Sequence, residues 1–121
     1  MALWTTGPID NAPVGGVRPT QQLTVYITNR KNAGTGSVLV MGYYFAGNRV
    51  LYVYEMVTVP ANGAVSRTYF ANLNALEFMF EVAEADQPWV SVSVWGRDAS
   101  GEQSDSQRFV TRELAYARES N

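Results

Sequence analysis

A chain of 121 residues with formal net charge −2 has room for one domain, and it lacks the clustered Lys/Arg that a nucleic-acid surface needs. It contains no Cys and no His, which excludes disulfides, zinc sites, cysteine nucleophiles and a Ser–His–Asp triad. Apolar residues make up 46% and charged residues 17%, so the chain carries enough hydrophobicity to fold and is not of the disordered type.

Residues 1–19 read as an extended N-terminal arm. Leu3, Trp4, Ile9 and Val14 are apolar anchors in a segment otherwise rich in Gly and Pro. Such anchors need a groove or a sheet edge, supplied either by the chain's own domain or by a neighbouring copy. From residue 20 to 117 the pattern is that of strands. Gln21–Arg30 alternates, with Leu23, Val25 and Ile27 on one face and Thr24, Tyr26 and Thr28 on the other, the signature of a half-buried strand. A turn-rich loop, Asn29–Gly36, leads to Ser37–Ala46, which is apolar on both faces. That predicts a central strand, either covered on both sides or exposing aromatics to a partner. Gly47-Asn48 then reverses the chain into Arg49–Val59, predicting a hairpin of two long strands.

Pro60–Ala64 is the next turn, and Val65–Phe70 a strand with Val65, Arg67 and Tyr69 on one side. In Ala75–Ala83, helical spacing would gather Leu76, Met79 and Phe80. The cleaner period is two, with Leu76, Phe78, Phe80 and Val82 alternating against Glu77, Met79 and Glu81. Trp89–Arg97 places Val90, Val92 and Val94 inward and Ser91 and Ser93 outward. A polar turn, Asp98–Asp105, precedes the last strand, Ser106–Tyr116, and residues 118–121 form a polar tail. About seven strands and no convincing helix predict an all-β fold, an antiparallel sandwich of jelly-roll type. No apolar run approaches the length of a membrane span, and the N-terminus lacks a basic and an apolar signal region.

Val57–Gly63 (VTVPANG), Trp89–Gly101 (WVSVSVWGRDASG) and Gln107–Leu114 (QRFVTREL) resemble small, signal-less β-sandwich proteins of spore-forming Gram-positive bacteria. The architecture, an arm on a jelly roll, is similar to that of endospore appendage subunits. The resemblance implies an extracellular or spore-surface location, reached without a classical signal peptide, and subunits joined through the arm; the alternative location is the cytoplasm. Appendage subunits are further locked by disulfides, and this chain has no cysteine for such a lock.

For the residues themselves, the arm anchors and the strand-borne aromatics Tyr43, Phe45, Tyr52, Tyr54, Trp89 and Trp95 are the candidate interface. The aromatics read either as a two-sided core, as a protein interface, or as a platform for stacking a surface glycan. Glu77, Glu81, Glu84 and Asp86 are candidate oxygen ligands for calcium; the loop Asp98–Glu102 lacks the D-x-[DN]-x-[DN]-G pattern of a calcium loop and has the composition of a hairpin turn. No carboxylate pair is singled out for hydrolysis. The expectation is therefore a non-enzymatic structural subunit with no cofactor and no metal, self-associating into a filament, appendage or surface layer. A carbohydrate-binding or adhesion module and a phage structural protein are the alternatives.

Overall fold

The computed structural model describes residues 1–110 and 115–119, the backbone alone for those beyond Glu102. Ten strands are found among the described residues and no helix: β1 (Ala2–Thr5), β2 (Ile9–Asp10), β3 (Gln22–Asn29), β4 (Gly36–Phe45), β5 (Arg49–Val59), β6 (Gly63–Phe70), β7 (Ala75–Val82), β8 (Val90–Arg97), β9 (Gln103–Val110) and β10 (Ala115–Glu119). They form an antiparallel sandwich. One sheet has six strands in the order β10-β1-β7-β4-β5, with β2 also on β7; the other has four, in the order β6-β3-β8-β9.

The predicted alternation carries through. Leu23, Val25 and Ile27 of β3 and Val90, Val92 and Val94 of β8 face the six-stranded sheet, whose inner side supplies Val38, Val40, Val57, Val59, Leu76, Phe78, Phe80 and Val82. Period two wins over helical spacing in β7 because its four inward residues fill one layer of this core. The hairpin at Gly47-Asn48 is present, with Gly47 at φ +77°, the left-handed conformation that a tight reversal requires. Two within-sheet hairpins, β4–β5 and β8–β9, give this sandwich its particular order, and the jelly-roll expectation extends only as far as the antiparallel sandwich.

Two expectations about the ends of the chain need correction. The N-terminal segment is not a separate arm. β1 pairs with β7 (Trp4 opposite Phe80) and with β10 (Trp4 opposite Tyr116), and β2 continues along β7. The C-terminal strand, expected over Ser106–Tyr116, is two strands in different sheets, and β10 runs to Glu119 through part of the expected tail. A terminal segment with few residues cannot show from its own sequence that two distant strands leave a gap of its width.

Two buried asparagines fix the loops, and neither carries a sequence signal beyond being polar. The Asn11 side-chain amide donates to the carbonyls of Thr20, Ala71 and Leu73 at 2.8–3.1 Å, and its oxygen accepts from the Thr20 N–H. It ties the loop after β2 to the turn before β7. Asn29 donates to the carbonyls of Gly34, Val59 and Pro60 and accepts from the Lys31 N–H. Lys31 in turn pairs with Asp86, whose other oxygen accepts from the Ser37 N–H. Each such plug satisfies backbone groups that the strands leave unpaired.

Candidate functional site

The two sheets differ on their outward faces. On the four-stranded sheet, alternation turns Thr24, Thr28, Ser91, Ser93, Ser66 and Thr68 away from the core, together with the aromatics Tyr26, Trp95 and Phe70, a largely polar sandwich exterior. Arg97 lies across this face, donating to the Thr24 and Tyr26 hydroxyls at 2.8 and 3.1 Å.

The six-stranded sheet is more apolar on its outward face, where Ser37 and Thr58 make one polar row at the end of β4 and β5. Strand register sets its outward residues in rows: Leu3, Glu81, Leu39 and Met56; then Thr5, Met79, Met41 and Tyr54; then Glu77, Tyr43 and Leu51. Eight of these eleven residues are apolar or aromatic; the other three are Thr5, Glu77 and Glu81. Tyr54 is 68%, Met56 60% and Leu51 46% exposed, while Leu39, Met41 and Tyr43 are half-buried. The sequence of β4, apolar on both faces, thus reflects one face in the core and one on the surface.

Charge on this face is largely neutralised within the chain. Arg49 lays its guanidinium 3.7 Å from the centre of the Tyr43 ring, 3.5 Å from the Glu77 carboxylate and 2.7 Å from the Met79 sulfur. Glu77 also accepts from the Thr5 hydroxyl. An ion pair stacked on an aromatic ring covers part of that ring and leaves little net charge.

A bulge changes which side chains of β5 face the interior. Between Gly42 and Tyr43 the register of β4 and β5 slips by one, so that Tyr52 and Val53 both pack against the core. Gly42 sits under the Phe78 ring; a Cβ there would lie 2.8 Å from Phe78 and 2.9 Å from Val53. Tyr44, Tyr52, Phe78 and Tyr69 form a chain of ring contacts with centroids 5.4–6.1 Å apart. Burial pushes the Tyr52 hydroxyl up to about 12, and burial with the Glu55 hydrogen bond raises Tyr69 further.

The expected site residues therefore separate. Tyr43, Phe45 and Tyr54 lie on the outer side of the six-stranded sheet. Tyr52 turns inward and donates to the Phe70 carbonyl. Trp95 belongs to the outer side of the other sheet, opposite Thr24, and Trp89, 47% exposed, precedes β8 in a turn. The six aromatics do not make one platform, because the alternation of β8 and the bulge of β5 send them to different surfaces. Of the arm anchors, Trp4 and Ile9 are buried in the core, Leu3 is on the outer face, and Val14 is 72% exposed in a small turn bridged to Val17. What the expected set lacked were Leu39, Met41, Leu51, Met56 and Met79. For Leu39 and Met41 the signal was present in the two-sided apolarity of β4.

Chemistry is sparse elsewhere. No group of three or more acidic residues gathers to hold a metal ion among the described residues. Shallow clefts flank the turn Asp98–Gly101, one lined by Val14, Val17 and Pro19, the other by Gln22, Phe70 and Asn72. The Ser100 hydroxyl, with backbone N–H groups of the same turn, holds the Asp98 carboxyl below its ordinary value, so this carboxylate is committed to its own turn. No helix is long and apolar enough to cross a membrane among the described residues.

No family model matches the chain, and no curated protein matches it. Among solved structures it is similar to the crystal structure of Thermotoga maritima 1070, with a TM-score of 0.54 and 11% identity over 95% of this chain and 90% of that chain. At that identity the likeness is one of fold alone.

Proposed function

We propose that the chain is a structural subunit that assembles with copies of itself through the outer face of its six-stranded sheet. The observation that carries this reading is the triple row of Leu, Met and Tyr side chains turned away from the core, with the Arg49–Glu77 pair as its main charge. The opposite sheet turns Tyr26, Phe70 and Trp95 outward among its Thr and Ser residues, whereas here Leu, Met and Tyr side chains follow one another in three adjacent rows. A contiguous exposed apolar patch is the mark of an interaction surface.

In this reading the joint lies on the sheet face and not in exchange of the N-terminal strand. Trp4 is already buried in its own chain, and an exchange would first have to open two strand pairings. Sedimentation of the purified protein over a range of concentrations tests the reading. The assembly is expected to be concentration-dependent, and Tyr54→Glu with Met56→Glu is expected to abolish it while circular dichroism stays that of a folded β-protein. A protein that is monomeric throughout, or assemblies untouched by the two substitutions, would overturn it.

A further inference from the structure

We infer that Met56 is a site of oxidative modification, and that its sulfoxide dismantles the assembly. The inference rests on the assembly reading above and deepens it by naming a chemistry that switches the face off.

Sulfur is concentrated on this face. Of the four methionines in the chain, Met41, Met56 and Met79 stand in its rows. Methionine is apolar and flexible, which suits a face that must fit another surface. Among Leu, Met and Tyr it is also the side chain that a mild oxidant turns polar. No cysteine competes for that oxidant.

Burial and hydrogen bonding rank the three sulfurs. Met79 is 8% exposed, and its sulfur accepts from the Arg49 guanidinium. Met41 is half-buried, and its sulfur accepts from the Tyr43 hydroxyl at 3.9 Å. A donor set on a thioether engages the lone pair that would attack an oxidant. Met56 differs on both counts: it is 60% exposed, and no hydrogen bond reaches its sulfur among the described residues. Register sets Met56 opposite Leu39, with Tyr54 two residues before it on the same side. An oxygen placed on this sulfur therefore enters the apolar part of the face.

The step is an oxygen-atom transfer from a peroxide. The Met56 sulfur attacks one peroxide oxygen, an S–O bond forms and the O–O bond breaks. Sulfur gives up two electrons, and hydrogen peroxide leaves as water. The product is polar and a hydrogen-bond acceptor. Covered by a second apolar face, that acceptor loses water without gaining a donor, which opposes association. The reaction belongs to the free subunit, because assembly covers the sulfur. Sulfoxide reductases return the thioether at the expense of a dithiol, so the switch is reversible.

The test oxidises the purified protein with hydrogen peroxide, reads each methionine by peptide mass spectrometry and follows assembly by sedimentation. Met56 sulfoxide is expected to form before those of Met41 and Met79, and more slowly as protein concentration rises. It is expected to raise the concentration needed for assembly by about tenfold or more, the effect of one unsatisfied polar group in a buried site. Sulfoxide reductases of both epimer specificities are expected to restore assembly. Met56→Leu is expected to stay assembled in peroxide, although Met1, 38% exposed, remains oxidisable in it. Met56→Gln, with an amide where the sulfoxide would be, is expected to assemble as weakly as the oxidised protein with no oxidant present. Earlier oxidation of Met41 or Met79 would overturn the assignment of the site. Assembly that persists once Met56 is fully oxidised would overturn the switch while leaving the face reading standing. A chain that is monomeric at every concentration before oxidant is added would overturn the face reading and the switch with it.

Discussion

Replacing Trp4 by Ala separates a residue of the chain's own core from an anchor lent to a neighbour. Trp4 is 2% exposed, opposite Phe80 on one side and Tyr116 on the other, on the strand next to the edge strand β10. Removing a buried Trp side chain costs about 3–5 kcal/mol, because transfer free energy is lost and a cavity remains. A domain of 121 residues has a total stability of roughly 6–18 kcal/mol at about 0.05–0.15 kcal/mol per residue. The variant therefore forfeits a large share of the total, equivalent to a fall in Tm of roughly 10–20 °C for a chain of this size. Urea and thermal melts are run well below the concentration at which subunits associate, so that only intramolecular contacts are read. The midpoint is expected to fall by this amount with the association constant of the surviving folded protein little changed. Unaltered melting of the isolated subunit, together with loss of assembly, would refute the reasoning and make Trp4 a residue of the partner's core.

Asn11→Ala leaves the Thr20, Ala71 and Leu73 carbonyls without their donor in a buried site, and is expected to cost about 2–4 kcal/mol in a denaturant melt, since each orphaned buried polar group costs about 1–3 kcal/mol. Stability is also expected to decline in alkali. Tyr52 and Tyr69 have raised hydroxyls in the folded state, so the unfolded chain loses protons first; stability is full below about pH 10 and falls as pH rises toward 12 and above. Tyr52→Phe is expected to flatten this decline in melts taken between pH 9 and pH 12, and an equally steep profile in that variant would show that other groups cause it.

Much of the fold was legible in the residues because a strand in a sandwich writes its burial into alternate positions. Leu23, Val25 and Ile27, or Val90, Val92 and Val94, announce an inner face without reference to any other part of the chain. The two-sided apolarity of β4 was equally legible as either a covered strand or one that shows side chains to a partner, and only the pairing of β4 with β5 and β7 places Leu39, Met41, Tyr54 and Met79 in one outward surface. The same holds for the aromatics, whose spacing in sequence is silent about the bulge that turns Tyr52 inward and keeps Tyr54 out. The N-terminal segment was ambiguous for a different reason. Its anchors required a site, but the site is a gap between β7 and β10, residues more than 70 positions away. Local sequence determines which side of a strand is apolar, through the two-residue period of the pleat. Which strands lie side by side, and so which apolar residues form a core and which a bare face, is decided by long-range pairing that only the assembled sheets express.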